Sequence, residues 1–434
     1  MKQHILLAFL FFSFSSGFAQ YSVRGGLGTP YKETPVSKME IYLLHGMQGA
    51  QISYTSSGQE KHQWFRYKIK ANESVPVESV QVGNVSTVTN IEEGYGYYVG
   101  SNLSPATSYV WIIDYSKYLP VFHSININEG NDKCRKIIIN ASVDAADLGY
   151  YTPTGVYDKL PRKYKLTYAT LKWEEESLIF ISQYEDVSYN NPSIMEIQSP
   201  LQDTDFTLNG DQYAEHFGVG KTISTPVYQA VKVEAHRSYI REKNKAPNEF
   251  SGEASDLGGS GPIHITFTGH ANEPVAGMYI WKISFTPEGS TVSQSIARYT
   301  DKTISYNFDR EGVYKVQLEV IDRQSVCNDT NVVDPVTIGK TQIIVPQAFS
   351  PGSSPGVNDE FRISYTSVVN FKCTIFNRWG TKLYEWNDPA RGWDGRVNGR
   401  FVPTGVYFYI IQYKGTDGKN KTKKGSVNVL RAKY

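Results

Sequence analysis

Apolar positions recur every second residue along several stretches of the chain. MEIYLLHG (39–46) and HQWFRYKIK (62–70) alternate, and CRKIIINASV (134–143), KYKLTYATLKWE (163–174) and SLIFISQYEDV (177–187) are strand-like. Successive side chains of a strand point to opposite faces, so a period of two marks half-buried strands. The pattern is clearest in GVYKVQLEVID (312–322), where Tyr314, Val316, Leu318 and Val320 share one face. Lys315, Gln317 and Glu319 share the other. No long stretch carries the 3.6-residue period of a helix, so the chain is expected to be all-β.

The elements group into units. At 434 residues the chain is too long for one core and divides into three or four domains. Residues 20–118 are expected to form a β-sandwich with Trp64 in its core. Within them LSPATSYVWIIDYS (103–116) resembles the tyrosine corner of immunoglobulin- and fibronectin-like sandwiches, with Tyr109 as the corner residue. Residues 119–251 are β-rich and resemble no family. TPVYQAVKVEAH (225–236) is expected to close a second sandwich there, and the polar run NNPSIMEIQSPLQDTDFTLNGDQYAEHF to be loops. REKNKAPNEFSGEASDLGGSGP (241–262) reads as a linker from its Gly, Ser, Pro and charge content. HITFTGHA (264–271), MYIWKISFTPEG (278–289) and ISYNFDREGVYKVQLEVID (304–322) then resemble a PKD domain, with Trp281 in the core and Gly312 at a tight turn. That sandwich occupies 252–340, although the Gly-Asp-Gly turn common after the tryptophan strand of such domains is absent.

Composition narrows the function. With 44 basic and 43 acidic side chains, charge gives no footing for nucleic acid. Aromatics make up 13% of the chain and include 31 tyrosines, residues suited to half-exposed sheet faces. MKQHILLAFLFFSFSSGFAQ opens with Lys2, an apolar run from Ile5 to Phe14, and small residues around Ala19. That is a secretory signal over 1–19, with cleavage after Ala19 and no transmembrane segment in the mature chain. Cys134, Cys327 and Cys373 are three, widely spread, and fall in different units, so each is expected to be a single buried thiol.

The most individual sequence is at the C-terminal end. FSPGSSPGVNDEF (349–361), IFNRWG (375–380), GWDGRVNG (392–399), VPTGVYFY (402–409) and KKGSVNVLR (423–431) follow in order. Together they resemble the gliding-motility-associated C-terminal domain, the type B sorting domain of the Bacteroidota type IX secretion system. The resemblance covers 341–434 and rests on Phe349, Asn358, Asp359, Phe376, Asn377, Arg378, Trp379 and Gly380. It continues through Trp393, Asp394, Gly395, Gly399, Gly405, Tyr407 and Gly425. It implies an address: periplasmic export by the signal peptide, then recognition of the folded domain by machinery that includes an outer-membrane β-barrel protein. From the residues themselves a small sandwich of about seven strands is expected, with turns at Asp394-Gly395 and Asn398-Gly399. Trp379, Trp393, Tyr407 and Phe408 read as core, and Arg378, Lys423 and Lys424 as contact groups. Where the family has an Asn-Gly-Asp-Gly turn this chain has Gly352-Ser353-Ser354-Pro355-Gly356, and Asp359 with Glu360 offers too few oxygens for calcium.

No catalytic set is visible. Eight histidines are scattered, and there is no HExxH or GxSxG. GVGKT (218–222) lacks the first glycine of a phosphate loop, and Glu174–Glu176 beside Trp173 reads as a solvated turn. No cofactor, metal or catalytic residue is assigned. The expectation is a non-catalytic exported protein whose sandwiches bind a glycan or another surface protein. The alternative is a secreted hydrolase with its site in 119–251.

Overall fold

The computed structural model describes every residue except 1–19, 101–107, 129, 131, 243–244, 251–256, 354–355 and 431–434. The signal peptide and the Leu103–Thr107 part of the tyrosine corner thus lie outside the described residues. Strands dominate the described chain, whose one α-helix is the five-residue Gln212–His216.

The first sandwich faces a four-stranded sheet (20–24, 51–55, 85–89, 80–82) against a six-stranded one. The second sheet runs Tyr31–Val36, Met39–Leu44, Tyr109–Asp114, Gly96–Gly100, Gln63–Tyr67 and Val75–Val77. Trp64 lies between the sheets as expected, and its indole donates to Ser86 Oγ at 2.7 Å. The central strands Met39–Leu44 and Tyr109–Asp114 are buried along nearly their whole length, not half-buried. Their outer face packs against Leu148, Tyr150 and Leu160 of a hairpin and against Tyr213 of the helix. A strand covered on both faces becomes apolar throughout.

The second sandwich sets Val121–Asn128, Lys136–Asp144 and Met195–Gln198 against Ile179–Tyr189, Tyr164–Glu174, Phe206–Asp211 and Thr222–Ser224. The polar run expected to be loops therefore contains two strands and the helix. Its apolar residues Met195, Ile197, Phe206 and Leu208 are all core. Asp211 caps the helix, its carboxylate accepting from Ala214 N at 2.9 Å, and it is fully buried. It also accepts the Tyr115 hydroxyl and pairs with Arg162. Arg162 in turn donates to the carbonyls of Tyr118 (2.8 Å) and Ala146 (2.6 Å), locking the first unit to the second.

The third sandwich repeats the three-plus-four plan. Ala235–Arg241, Ile263–Ala271 and Thr303–Phe308 face Gln294–Tyr299, Ala276–Pro287, Gly312–Asp322 and Asn328–Val332, with Val336–Ile338 added. The segment 225–236 does not close the second sandwich: its last two residues open the first strand of the third. Trp281 and the Tyr314, Val316, Leu318, Val320 face are buried as expected, in an apolar core continuous with that of the second sandwich.

Two expectations fail between units. Cys134 and Cys327, 193 residues apart, form a disulfide that ties the second sandwich to the third. Only Cys373 is a free buried thiol, and burial pushes its pKa up. A disulfide suits an oxidising compartment and so accords with export. The stretch 241–262, expected to be a linker, is bound to the C-terminal domain through its described residues. Asn248 Nδ2 donates to the carbonyls of Ile363 (2.8 Å) and Pro389 (2.7 Å), and Phe250 N to Tyr365 O (3.0 Å). Ser367 N donates to Ser260 Oγ at 2.8 Å. An arm from the third sandwich thus clasps the C-terminal domain.

Candidate functional site: the C-terminal domain

A five-stranded sheet organises this domain, in the order Ala348–Phe349, Asn420–Val429, Gly405–Gly415, Val368–Phe376, Lys382–Trp386. Short pairs at 342–344 with 364–366 and 396–397 with 400–401 complete it. The sheet's inner face carries Ile375, Cys373, Tyr409 and Ile411, closed over by Phe361, Ile363 and Trp393. Trp393 is the hub. It is fully buried, its indole donates to Arg396 O at 2.9 Å, and its ring lies 5.5 Å from Phe349 and 5.7 Å from Tyr407.

The glycines hold the frame. Gly405 has φ +145° and Gly312 of the third sandwich φ +141°, a conformation costly for any other residue. In both places the tyrosine two residues on reaches back to the backbone four residues earlier. Tyr407 Oη donates to Pro403 O (2.9 Å), and Tyr314 Oη accepts from Arg310 N (3.0 Å). Both contacts are of the tyrosine-corner kind. Gly425 lies beneath the Tyr409 ring, where an added Cβ would sit 2.3 Å from the hydroxyl. Gly395 packs against Pro351 and Phe349, Asp394 accepts from Arg396 N at 3.0 Å, and Asn398-Gly399 makes a left-handed turn. Asn358 also has positive φ, and its carbonyl accepts from Ser350 N at 2.7 Å. Asp359 accepts from Gly356 N. Each is architectural.

The Asn-Arg-Trp-Gly turn is different. Asn377 Oδ1 accepts from Trp379 N (3.0 Å) and Thr381 N (2.9 Å), and Gly380 takes φ +79°. This tight turn turns Trp379 outward. Trp379 is 77% exposed, not core, and the Arg378 guanidinium lies 4.9 Å from its ring centre. Phe408 is also outside, 45% exposed and paired in register with Phe376. Val406 and Ile410 continue the same outer face. The physical reason is strand phase: Tyr407, Tyr409 and Ile411 take the inner face, so Val406, Phe408 and Ile410 must point the other way.

Charges border this face. Lys424 is exposed beside Ile410, whereas Lys423 Nζ is engaged with Ile343 O at 2.9 Å. Glu385, bridged by Lys382 (3.0 Å) and Lys372 (3.2 Å) and bonded by Thr374, has its carboxyl held down at about 2. Sequence reasoning missed the outer aromatic pair because GVYFYII is apolar on both faces. Among the described residues no group of three or more His, Cys, Asp or Glu is placed to hold a metal ion.

No curated protein matches the chain. Two solved structures align over most of it. One is a Ca2+-stabilized adhesin with which an Antarctic bacterium reaches out and binds ice, at 9% identity, 88% of this chain, 94% of that one and TM-score 0.19. The other is the BSP domain of a biofilm associated protein, at 12% identity, all of both chains and TM-score 0.18. Neither alignment is close enough to carry an argument. Family models are more informative. Residues 126–225 match a fibronectin type III domain, which supplies the family that the sequence patterns of 119–251 had not shown. Residues 343–429 match the CHU_C type IX secretion signal domain, so this all-β chain carries that export signal behind a fibronectin type III-like domain.

Proposed function

We infer that the secretion signal directs export of this protein across the outer membrane, to the cell surface or beyond, with the secretion machinery as a partner. We propose that the machinery docks on the outer face of the C-terminal sheet, around Trp379, Phe376 and Phe408, and that an outer-membrane β-barrel protein belongs to it. The observation that carries this reading is the exposure of Phe408 and Val406 on the sheet's outer face and of Trp379 at the turn that follows Phe376, in a domain whose family is an address. Strands apolar on both faces are ordinarily covered on both, and a rimmed apolar patch on a soluble surface marks an interaction site. Arg378 and Lys424 at its border give the contact orientation.

The preceding sandwiches are, on this reading, non-catalytic binding and spacer modules for a glycan or surface-protein ligand, the third of them PKD-like, on a bacterium of the Bacteroidota. The core shared by the second and third, the Cys134–Cys327 bridge and the Asp211 lock support a spacer role, because they restrain motion between units. Deleting residues 341–434 and fractionating the cells tests the assignment. The remainder is expected in the periplasm, and normal arrival outside would overturn the reading.

A further inference from the structure

The hairpin formed by Tyr164–Glu174 and Ile179–Tyr189 is longer than its sandwich. Only Tyr164 to Tyr168 pair with the next strand of the sheet. Beyond them the strand edge is covered: Ala169 N donates to Thr204 Oγ1 at 2.9 Å and Leu201 N to Thr170 Oγ1 at 3.1 Å. The hairpin tip leans on the third sandwich, with Trp173 stacked on His236 at 4.3 Å and 6° between planes. On the face that Tyr168 and Thr170 share with their partners Glu185 and Gln183, a cleft of about 420 Å³ opens. Its far wall is Gln198, Ser199 and the connection carrying Lys232 and Glu234. A second groove of about 490 Å³ shares Gln198 and Lys232 and runs on to Arg135, beside the disulfide.

We propose that this cleft binds a neutral oligosaccharide, a deepening that rests on reading the sandwiches as binding modules. Three features choose the ligand. Lys172 and Lys232 face Glu185 and Glu234 in the cleft, and the groove adds Arg135 and Lys136 against Glu196, so both signs line the site and a strongly anionic or cationic ligand would meet its own sign. Gln198 presents an amide donor and acceptor, and Gln183, whose Nε2 donates to Glu185 Oε1 at 2.5 Å, keeps its carbonyl oxygen and second N–H, groups that adjacent sugar hydroxyls satisfy. The Ser199 hydroxyl lines the cleft, 2% exposed, with no hydrogen-bond partner among the described residues, so a purely apolar ligand would leave it unpaired. The covered edge at Ala169 and Thr170 leaves an extended peptide little backbone to pair with on the Tyr164–Glu174 strand. The two connected volumes accommodate more than one sugar ring, at a domain junction where ligand sites concentrate.

The test is calorimetric titration of the full exported protein with a soluble β-glucan, a mannan, polygalacturonate and an unstructured peptide. Binding of a neutral polysaccharide is expected, weakened at least about tenfold in a Gln183→Ala, Gln198→Ala double variant of unchanged melting temperature. Binding of none of the four overturns the proposal. So does preference for polygalacturonate or the peptide, or equal affinity in the double variant. Attachment of cells displaying the protein to a coated surface, scored in parallel, separates the two readings. Attachment without saccharide binding removes the cleft alone, and loss of both removes the module reading with it.

Discussion

Changing Trp393 to alanine is expected to cost the C-terminal domain about 3–5 kcal/mol, whereas the same change at Trp379 leaves stability within about 0.5 kcal/mol. The two tryptophans sit 14 positions apart in the same sequence signature, yet their surroundings differ completely. Trp393 fills the space between Phe349, Phe361 and Tyr407, and its removal leaves a cavity that a small domain cannot close. Trp379 touches the Arg378 guanidinium and solvent, so its removal loses one exposed cation–π contact. Both variants are expected to lose export, by different routes. Trp393→Ala fails because the domain unfolds, and Trp379→Ala because a folded domain presents an impaired docking face. Urea denaturation of the purified protein, with cell fractionation of the same variants, separates the two. Normal export of a stable Trp379→Ala protein would remove the docking face from the account.

Asp211→Ala carries the second large effect, about 3–5 kcal/mol. The carboxylate serves three partners at once: the Arg162 guanidinium, the Tyr115 hydroxyl and the Ala214 amide at the start of the helix. Burial pushes the Tyr115 hydroxyl pKa far up, so it remains a donor and needs this acceptor. Removal leaves Arg162, almost as buried as Asp211 itself, with carbonyls but no counter-charge. Because the lock joins the first two units, its loss is expected in thermal unfolding and also as faster proteolysis around Tyr118–Pro120. A melting temperature unchanged in Asp211→Ala would show that the ion pair contributes only geometry.

The contrast between two similar strands shows how far the sequence could be read. GVYKVQLEVID and GVYFYIIQY both begin with a left-handed glycine and a corner tyrosine. In the first, Lys315, Gln317 and Glu319 declare the solvent face, and the inward set follows at once. In the second, Phe408 and Ile410 are as apolar as Tyr409 and Ile411, so nothing local says which set faces out. Trp379 misled for a related reason: tryptophan is a good core residue, and only the Asn377 turn geometry places it outside. The disulfide was illegible because its cysteines are remote in sequence and meet only when two sandwiches are set side by side. The arm at 246–250 was illegible because Asn248 is a linker residue until the carbonyls of Ile363 and Pro389 are beside it. The fibronectin type III-like unit was obscured by its additions: an extra hairpin at 148–160, a helix, and polar Gln183 and Glu185 on a strand face that elsewhere in the unit is apolar. The all-β class and the family of the C-terminal domain rest on patterns repeated many times, and these were readable.

Those additions and clasps bear on how the address should be tested. Because the arm from the third sandwich pairs with Tyr365, the exported signal is best transplanted together with the sandwich that holds it. Residues 20–434, which keep that sandwich with the Cys134–Cys327 bridge and the core it shares with the second, placed behind a secretory signal and a fluorescent protein in a cell that has the type IX system, give the most direct measurement. The account predicts fluorescence outside the outer membrane, lost on Trp393→Ala; fluorescence that stays in the periplasm with the transplanted domain folded would contradict it.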